Sequence, residues 1–393
     1  MSPRAYVTPR PRAFGHAVSQ TEGIAWLKAA LRRVAETCPV PDLDRALRYY
    51  DFLARASGVG ARITCLEDYT HQDWDRMHLH AASPAGDGQG PVEGRWGGLW
   101  YQASLDARMA MFAETAFALA QAAFADETEA PDLLMQVSCT GYDSPTAVQR
   151  LALERGWHDA SRILHIGHMG CYAALPAVAT AADIVRAEAL AEGPDDGGAR
   201  AALLLVELCT LHYDPAAVDA EQIVTQCLFG DGAARLDVTA APPLVGSPAF
   251  ALVDYTERLL PETEGAMTWR VADGGFRMTL SRDVPRHIGA HLAPAVTRFL
   301  APHGLGVEDV RWWAVHPGGP RVIESAAEAL GLPEPAVRHS QAMLRARGNM
   351  SSTTIPHIWA DLLADDAVER GDLVGSLAFG PGLTVAMSLM QVA

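Results

Sequence analysis

The stretch that decides the fold is "RILHIGHMGCYAALPAVATAADIVRAEALAE", residues 162–192. The segment "RILHIG" predicts a strand, and the alanine-rich segment after it predicts a helix that runs to about Glu192. Cys171 stands at the head of this helix, where unpaired N–H groups and the helix dipole favour a thiolate. The alternative is an inert thiol, because free cysteine is among the most buried residue types.

Strand and helix alternate along both halves of the chain, which predicts an α/β fold. Residues 1–20 are expected to form an irregular arm, residues 83–98 a loop, and Ser144 and Pro145 the start of a helix. Helices are predicted over residues 21–38, 41–58, 106–126, 144–156, 283–304 and 320–332. Strands are predicted within residues 132–141, 200–211 and 310–319, and twice within 372–393.

Composition narrows the class of protein. The 393 residues carry 31 Lys and Arg against 47 Asp and Glu, a formal charge of 31 − 47 = −16, without the basic clusters that nucleic acid requires. The six cysteines include no CxxC pair, which argues against structural zinc. Neither a signal peptide nor an apolar run of spanning length is visible. These features predict a cytoplasmic enzyme with reduced thiols and no membrane span.

Two further residues are candidates for chemistry together with Cys171. His316 follows a predicted strand in "WWAVHPGGP", where a rigid loop would hold its ring. Asn349 lies in "RGNMSSTT", where an asparagine after glycine also suits a tight turn. The residue types alone are weak evidence for a catalytic site, since most proteins contain many cysteines, histidines and asparagines.

Local context makes the set specific. The motifs "GCYAALP" (170–176), "QCLFGDGAA" (226–234), "HPGGP" (316–320), "GNMSS" (348–352) and "FGPGLT" (379–384) occur in the order found in type III polyketide synthases. Over residues 20–393 the chain resembles this chalcone-synthase-like group, and the last three motifs favour it over ketosynthase III of fatty acid synthesis. The resemblance implies the thiolase fold, a five-layered αβαβα arrangement of two similar halves. We assign residues 1–20 to the arm, 21–245 to the half with Cys171, and 246–393 to the half with His316 and Asn349.

The resemblance also implies catalytic roles. Cys171 would accept an acyl chain as a thioester, and His316 would hold the thiolate as an ion pair. His316 and Asn349 would both donate to the thioester oxygen, since a Claisen condensation passes through oxyanions that paired donors stabilise. The family needs no metal or organic cofactor, and its members are homodimers.

Other positions are carried over by motif. Phe229 matches an aromatic gatekeeper of the cavity, Met278 replaces a second one, and Ser144 falls where a residue reaches across the dimer. The full set of predicted substrate-binding residues is Cys139, Ser144, Cys209, Phe229, Trp269, Met278, Ser351, Gly380, Pro381 and Gly382.

In plant members, basic residues on an N-terminal helix bind coenzyme A, and this chain lacks basic residues at the matching positions. The positions that are basic there are Tyr49, Phe52 and Ala56 in this chain. Nearby arginines could grip coenzyme A differently or meet the acidic helix of an acyl carrier protein. These docking candidates are Arg48, Arg55, Arg62 and Arg321.

Three functions remain open at this point. The profile is similar to the stand-alone ketosynthases that join two carrier-bound β-ketoacyl chains in myxopyronin and corallopyronin biosynthesis and form an α-pyrone antibiotic core. An iterative synthase that extends an acyl-CoA starter with malonyl-CoA, to a pyrone or a resorcinol, is the first alternative. An acyltransferase on the same fold is the second. A non-catalytic subunit is disfavoured, because Cys171, His316 and Asn349 are all present.

Overall fold

The structure, a computed structural model, describes residues 4–10, 12, 14–80, 89–93, 99–192, 198–243 and 247–393. Helices in these ranges are α1 (Gln20–Thr37), α2 (Leu43–Ala56), α3 (Leu105–Ala123), α4 (Ala147–Arg155), α5 (Ala174–Glu192), α6 (Ala220–Leu228), α7 (Val284–Leu300), α8 (Pro320–Leu330), α9 (Glu334–Arg347) and α10 (Thr354–Leu363). Strands in the same ranges are β1 (Ala5–Arg10), β2 (His16–Ser19), β3 (Ala61–Thr64), β4 (Gln89–Glu93), β5 (Leu99–Ala103), β6 (Leu133–Ser138), β7 (Arg162–Gly167), β8 (Arg200–Leu208), β9 (Asp231–Thr239), β10 (Phe250–Leu259), β11 (Met267–Ala272), β12 (Gly275–Leu280), β13 (Trp312–Val315), β14 (Leu373–Gly380) and β15 (Thr384–Val392). No helix of this part of the chain combines the length and apolar character needed to cross a membrane.

Nine of these strands form one mixed sheet in the order β13-β14-β15-β10-β1-β9-β8-β6-β7. Strand β6 runs parallel to β7 and β8, and β13 runs parallel to β14. The other neighbours in the sheet are antiparallel. Strand β1 lies in the middle, where it joins two four-stranded halves.

Strand β8 shows why the sheet is covered on both faces. Its residues Ala201, Leu203 and Leu205 pack into a core built with α5 and α10. The alternate residues Ala202, Leu204 and Val206 pack into a second core with α1, α3 and α4. A third core lies against the other half of the sheet and contains residues of α7, α8 and α9. Three helical layers around two half-sheets give the five-layered thiolase arrangement that the sequence predicts.

Several local predictions are corrected. Residues 5–10 are not irregular, because β1 pairs with β9 from Tyr6 to Arg10 and with β10 from Ala5 to Val7. Pro9 lies beyond the part of β1 that pairs with β10, so its missing N–H removes no hydrogen bond to that strand. Residues 89–93 of the predicted loop form β4, paired with β5, and residues 83–88 and 94–98 lie outside the described residues. The predicted half boundary at residue 245 also lies outside them.

Helix α4 begins later than predicted. Its N-cap is Thr146, whose hydroxyl accepts the Gln149 N–H at 3.3 Å, while the Gln149 side chain accepts the Thr146 N–H at 2.8 Å. This reciprocal capping box satisfies two N–H groups at once, so Ser144 and Pro145 remain in the loop before the helix.

The topology places three cysteines at one edge of the sheet. Cys139, Cys171 and Cys209 follow the carboxyl ends of the parallel strands β6, β7 and β8. His316 is not part of this group, because it follows β13 in the other half of the sheet, which runs opposite to β8. Ligand sites of α/β sheets form at the carboxyl ends of such strands, so this edge is where a site is expected.

Candidate active site

The loop between β7 and α5 presents Cys171. The backbone turns through His168 and Gly170, at φ angles of 59° and 85°, and Cys171 lies three residues ahead of the first residue of α5. A Cβ at Gly170 would lie 2.7 Å from Cδ of Pro381, so glycine is needed where this loop passes the β14–β15 turn. Cys171 itself is buried.

Asn349 is oriented toward the thiol by its own neighbour. The Ser351 N–H donates to Asn349 Oδ1 at 2.9 Å, which fixes the amide plane. The Asn349 backbone pairs with Phe229, a cavity residue that follows α6. Its Nδ2 is buried without a hydrogen-bond partner among the described residues, and the side chain lies close enough to Cys171 to lower the pKa of that thiol.

Burial controls the charge state of Cys171. It raises the pKa of the thiol to about 12, although the nearby polar side chains of Ser351 and Asn349 lower that pKa. The buried carboxyl of Glu207 raises the pKa of Cys171 further. The thiolate expected at the helix start is therefore not the favoured form of Cys171, because the loss of water outweighs the nearby donors.

His316 is fully buried at the end of β13. Its N–H donates to the Leu377 carbonyl at 2.7 Å, which ties it to β14. Three residues further along, a Cβ at Gly380 would collide with the ring of Tyr172, the residue after Cys171, so β14 contacts both the backbone of His316 and the loop that carries Cys171. Neither ring nitrogen of His316 has a partner among the described residues, and burial lowers its pKa to about 3. A neutral imidazole, not an imidazolium, is favoured.

The pH dependence of alkylation tests this charge state. With the Cys171 pKa near 12, the thiolate fraction grows about tenfold for each pH unit across neutral and mildly alkaline pH. We expect the rate of Cys171 alkylation by iodoacetamide, followed by peptide mass mapping, to rise steadily from about pH 6 to about pH 9. A rate that stays level over this range would contradict the neutral pair and indicate a thiolate–imidazolium pair.

A cavity opens beside Cys171, with about 580 Å³ of space free of protein atoms when the part open to solvent is included. Seven of the predicted substrate-binding residues line it: Cys139, Cys209, Phe229, Trp269, Met278, Ser351 and Pro381. Gly380 and Gly382 do not line it and instead shape the turn around Pro381. Ser144 is exposed in the loop before α4, away from the cavity of its own chain.

The β11–β12 hairpin forms one wall of the cavity and is bonded to the opposite wall. The Trp269 indole N–H donates to the Cys139 carbonyl at 2.6 Å. His212 accepts the Phe276 N–H at Nδ1 at 3.0 Å, so its Nε2–H donates to the Thr140 carbonyl at 2.6 Å. Burial lowers the pKa of His212 to about 3, which keeps this bridge neutral.

Glu207 lies beneath the cavity and was not singled out from the sequence. Its Oε2 accepts the Cys139 N–H at 3.1 Å and the Thr140 hydroxyl at 2.9 Å, and its Oε1 accepts the Ser352 hydroxyl. Burial raises the pKa of this carboxyl. Glu207 thus ties the loop that carries Cys139 to the turn that carries Ser351. In the sequence, Glu207 is recognisable only as a charged residue within the otherwise apolar second half of β8.

The docking candidates divide into two groups. Arg48 and Arg55 on α2 and Arg321 on α8 are exposed. Arg62 is not, which is a correction: its guanidinium is buried and donates to the Tyr213 hydroxyl at 2.6 Å and to the Phe229 carbonyl at 3.4 Å. The side chain points inward because residues of β3 alternate between the two faces.

The described side chains do not form a metal site. Within the described part of the chain, no group of three or more His, Cys, Asp or Glu side chains is arranged to hold a metal ion. The side chains around Cys171 offer one nucleophile and neutral donors, a set suited to acyl transfer.

Comparison with known proteins identifies relatives with such a site. The family model for chalcone and stilbene synthases, C-terminal domain, matches residues 251–393. The chain is 34% identical over 265 residues to 1,3,6,8-tetrahydroxynaphthalene synthase of Streptomyces peucetius subsp. caesius, covering 66% of this chain and 67% of that protein. It is 30% identical over 263 residues to the alpha-pyrone synthesis polyketide synthase-like Pks18 of Mycobacterium tuberculosis, covering 66% of this chain and 65% of Pks18.

Solved structures extend the likeness to the whole chain. The Streptomyces coelicolor tetrahydroxynaphthalene synthase, a bacterial type III polyketide synthase, superposes with a TM-score of 0.74 at 27% identity, covering 99% of this chain and 98% of that structure. PKS-I of the brown alga Ectocarpus siliculosus gives a TM-score of 0.78 at 25% identity, covering 100% of this chain and 98% of that structure. With a buried thiol, its amide donor and this fold in place, the chain belongs to the type III polyketide synthases, the chalcone- and stilbene-synthase-like family of condensing enzymes.

Proposed function

We propose that the enzyme joins two carrier-bound β-ketoacyl chains and releases an α-pyrone. The observation that carries the chemistry is the buried Cys171 thiol at the wall of a cavity, with the polar side chains of Asn349 and Ser351 close enough to lower its pKa. A condensing enzyme needs a nucleophile that stores one chain and donors that stabilise an oxyanion, and this site offers both.

Loading is a thioester exchange. The Cys171 sulfur attacks the carbonyl carbon of the first chain while its proton passes to the neutral His316. Asn349 Nδ2 and the protonated His316 donate to the oxyanion. The bond to the carrier sulfur then breaks, and the carrier thiolate takes the proton from His316.

Condensation forms the new carbon–carbon bond. His316 takes a proton from the α-carbon of the second β-ketoacyl thioester, and the enolate attacks the acyl carbonyl on Cys171. The Cys171 sulfur leaves and regains a proton from His316. An enol hydroxyl of the joined chain then attacks the remaining thioester, which closes the lactone and releases the second carrier thiol.

Carrier delivery is supported by the surface near α2. Arg45, Arg48 and Arg282 line an open groove there, and Tyr49 and Phe52 stack at 6.0 Å where other members have basic residues. Arg55 and Arg321 belong to the same region, because Gly58 packs against Pro320. Exposed arginines on a chain of charge −16 make a local partner for an acidic carrier helix.

Iterative extension of an acyl-CoA starter with malonyl-CoA is the second candidate. The names of the relatives favour it, since one is a tetrahydroxynaphthalene synthase and another is tied to alpha-pyrone synthesis. An acyltransferase on the same fold would load Cys171 in the same way but form no carbon–carbon bond, so product mass separates it from both.

Intact-protein mass spectrometry distinguishes these functions. The enzyme is incubated separately with acyl-CoA, malonyl-CoA and carrier-bound β-ketoacyl thioesters. We expect Cys171 to be acylated from the carrier and joined product to form without malonyl-CoA. Repeated decarboxylative extension with malonyl-CoA would refute chain joining and support the second candidate.

Reversing the charge of two exposed arginines tests the proposed docking surface. We expect the Arg48→Glu/Arg55→Glu variant to load from the carrier at least about tenfold more slowly and to load small-molecule thioesters at the original rate. The matched control is Arg298→Glu, on the exposed face of α7. Equal carrier rates in all three proteins would contradict the docking surface.

We also propose a homodimer. Strand β7 is the last strand of the sheet, and Ile163 on it and Tyr142 beside its end are exposed apolar side chains. An uncovered edge strand of this kind favours pairing with another chain. Ser144 lies in the loop near this edge, consistent with contact to the partner. A solution mass equal to one chain would contradict the proposal.

A further inference from the structure

The β11–β12 hairpin stands apart from the nine-stranded sheet and forms a two-stranded sheet of its own. Its inward face supplies part of the lining beside Cys171, namely Met267, Trp269, Phe276 and Met278. The opposite face of the hairpin is largely exposed. A two-stranded hairpin is only marginally stable by itself, so its contacts with the rest of the chain decide whether it stays over the cavity.

Side chains make most of these contacts. At the base of the hairpin, the Gly382 N–H donates to the Met267 carbonyl at 3.3 Å, and in the described ranges this is the only backbone–backbone hydrogen bond from residues 267–280 to the rest of the chain. The other hydrogen bonds to this segment pass through side chains, such as that from His168 Nε2 to the Trp269 carbonyl at 3.0 Å. The hairpin can therefore move away from the cavity without disturbing the nine-stranded sheet.

His212 makes the contact closest to the turn of the hairpin. Its Nδ1 accepts the Phe276 N–H at 3.0 Å, and its Nε2–H donates to the Thr140 carbonyl at 2.6 Å. The two rings of His212 and Phe276 also stack, with centroids 4.3 Å apart and planes 9° from parallel. This arrangement requires a neutral imidazole, because a proton on Nδ1 would point at the Phe276 N–H.

The surroundings of His212 favour that neutral form. A Cβ at Gly275 would lie 3.4 Å from His212 Nδ1 and 3.7 Å from Arg108 Nε, so the guanidinium of α3 and the imidazole pack against the same residue. Burial, assisted by the positive charge of Arg108, lowers the pKa of His212 to about 3. Further titratable groups on the surrounding elements are Cys139, His168, Glu207, Tyr213, Asp214 and Arg277.

We propose that the β11–β12 hairpin is a lid over acylated Cys171 and that the neutral ring of His212 is the latch that holds this lid closed. Closure keeps water from the thioester until the second chain arrives. When the lid opens, water attacks the acyl carbonyl, the carbon–sulfur bond breaks, the thiol regains a proton and the free acid leaves. The inference rests on the proposed loading of Cys171, and it makes His212 a positioning residue.

The rate at which the acyl group is lost tests the latch. Wild type, His212→Phe and His303→Phe are acylated with one short N-acetylcysteamine thioester, freed of excess reagent and followed by intact mass at neutral pH without a second chain. We expect His212→Phe to lose its acyl group at least about tenfold faster, because phenylalanine keeps the stacked ring but breaks two hydrogen bonds. His303 is exposed just after α7 and pairs with Asp254, so His303→Phe is the matched control and is expected to behave as wild type.

Acid tests the same latch through the His212 proton. The pKa of the ring is about 3 in the closed hairpin, and we expect its ordinary 6.5 once the ring meets water, so the closed form loses stability as pH falls below about 6.5. The comparison variant is His212→Asn, which does not titrate and offers an amide oxygen to the Phe276 N–H. We expect the rate of acyl loss from wild type, divided by that from His212→Asn, to rise roughly twentyfold from neutral pH to about pH 5.

The outcomes separate the claims. A His212→Phe enzyme that keeps its acyl group as long as wild type does would overturn the latch, and so would a ratio of rates that stays level with pH. If His212→Phe does not fold, the comparison of wild type with His212→Asn supplies the test. A wild-type enzyme that is never acylated contradicts the proposed function instead.

Discussion

Replacing Cys171 with alanine is expected to abolish acyl loading and product formation. Loss of a covalent nucleophile lowers turnover by a factor of about 10⁴ or more where a residual background is measurable. The cavity holds two other thiols, Cys139 and Cys209, but burial raises the pKa of each well above its ordinary value. The Cys139 thiol is also engaged with Ser351 at 3.2 Å and Glu207 at 3.3 Å. Neither thiol is placed to replace Cys171.

The matched control is Cys209→Ala, which removes a thiol from the same cavity. We expect this variant to be acylated once per chain at a rate within about tenfold of wild type, because it alters only the lining. Intact mass gives the stoichiometry, and product analysis gives the turnover. A Cys171→Ala enzyme that still condensed chains at the wild-type rate would refute the assignment of the nucleophile.

Replacing Glu207 with alanine is expected to cost about 3 kcal/mol in the free energy of unfolding, because it leaves several buried donors without an acceptor. The orphaned groups are the Cys139 N–H and the hydroxyls of Thr140 and Ser352. Acylation of Cys171 should slow as well, since these groups position both sides of the cavity. Denaturant titration and loading kinetics measure the two effects.

Glu114→Ala is the control, because Glu114 is exposed and pairs with Arg150 at the surface, where a pair contributes about 0–1 kcal/mol. Equal stability of the two alanine variants would contradict the role of Glu207. Because burial raises the pKa of Glu207 above its ordinary 4.5, the folded protein holds this proton more tightly than the unfolded chain. The stabilisation that comes from this bound proton therefore falls as pH rises above about 4.5. Glutamine does not titrate, so the free energy of unfolding of Glu207→Gln is expected to lack this dependence on pH.

The sequence predicted best those helices and strands whose own residues show a clear hydrophobic pattern. Strand β7 matches its predicted residues 162–167, and α1 (Gln20–Thr37) matches the predicted helix at residues 21–38. Strand β8 was recognisable because both of its faces are buried, which makes it continuously apolar. Where a pattern was too short, as in the proline-containing strand β1, the prediction was wrong.

The cavity was less predictable than the fold. The residues Phe229, Met278 and Trp269, chosen by motif, line the cavity, but His212, Tyr213 and Phe276, which line it too, lie in no motif that we used. Their importance comes from hydrogen bonds between segments far apart in sequence, such as the bridge from Phe276 through His212 to Thr140. The charge state of Cys171 also depended on burial, which residue order alone does not reveal.

Strand β1 has a consequence for how the protein is made. Its partners are residues 235–239 of β9 and residues 250–252 of β10, more than 220 positions along the chain. A ribosome therefore exposes the first strand long before the strands that flank it exist. Pairings of such long range are slow to form and leave edges open to wrong partners. The seam between the two half-sheets is thus expected to be the step at which nascent chains depend most on protection from aggregation.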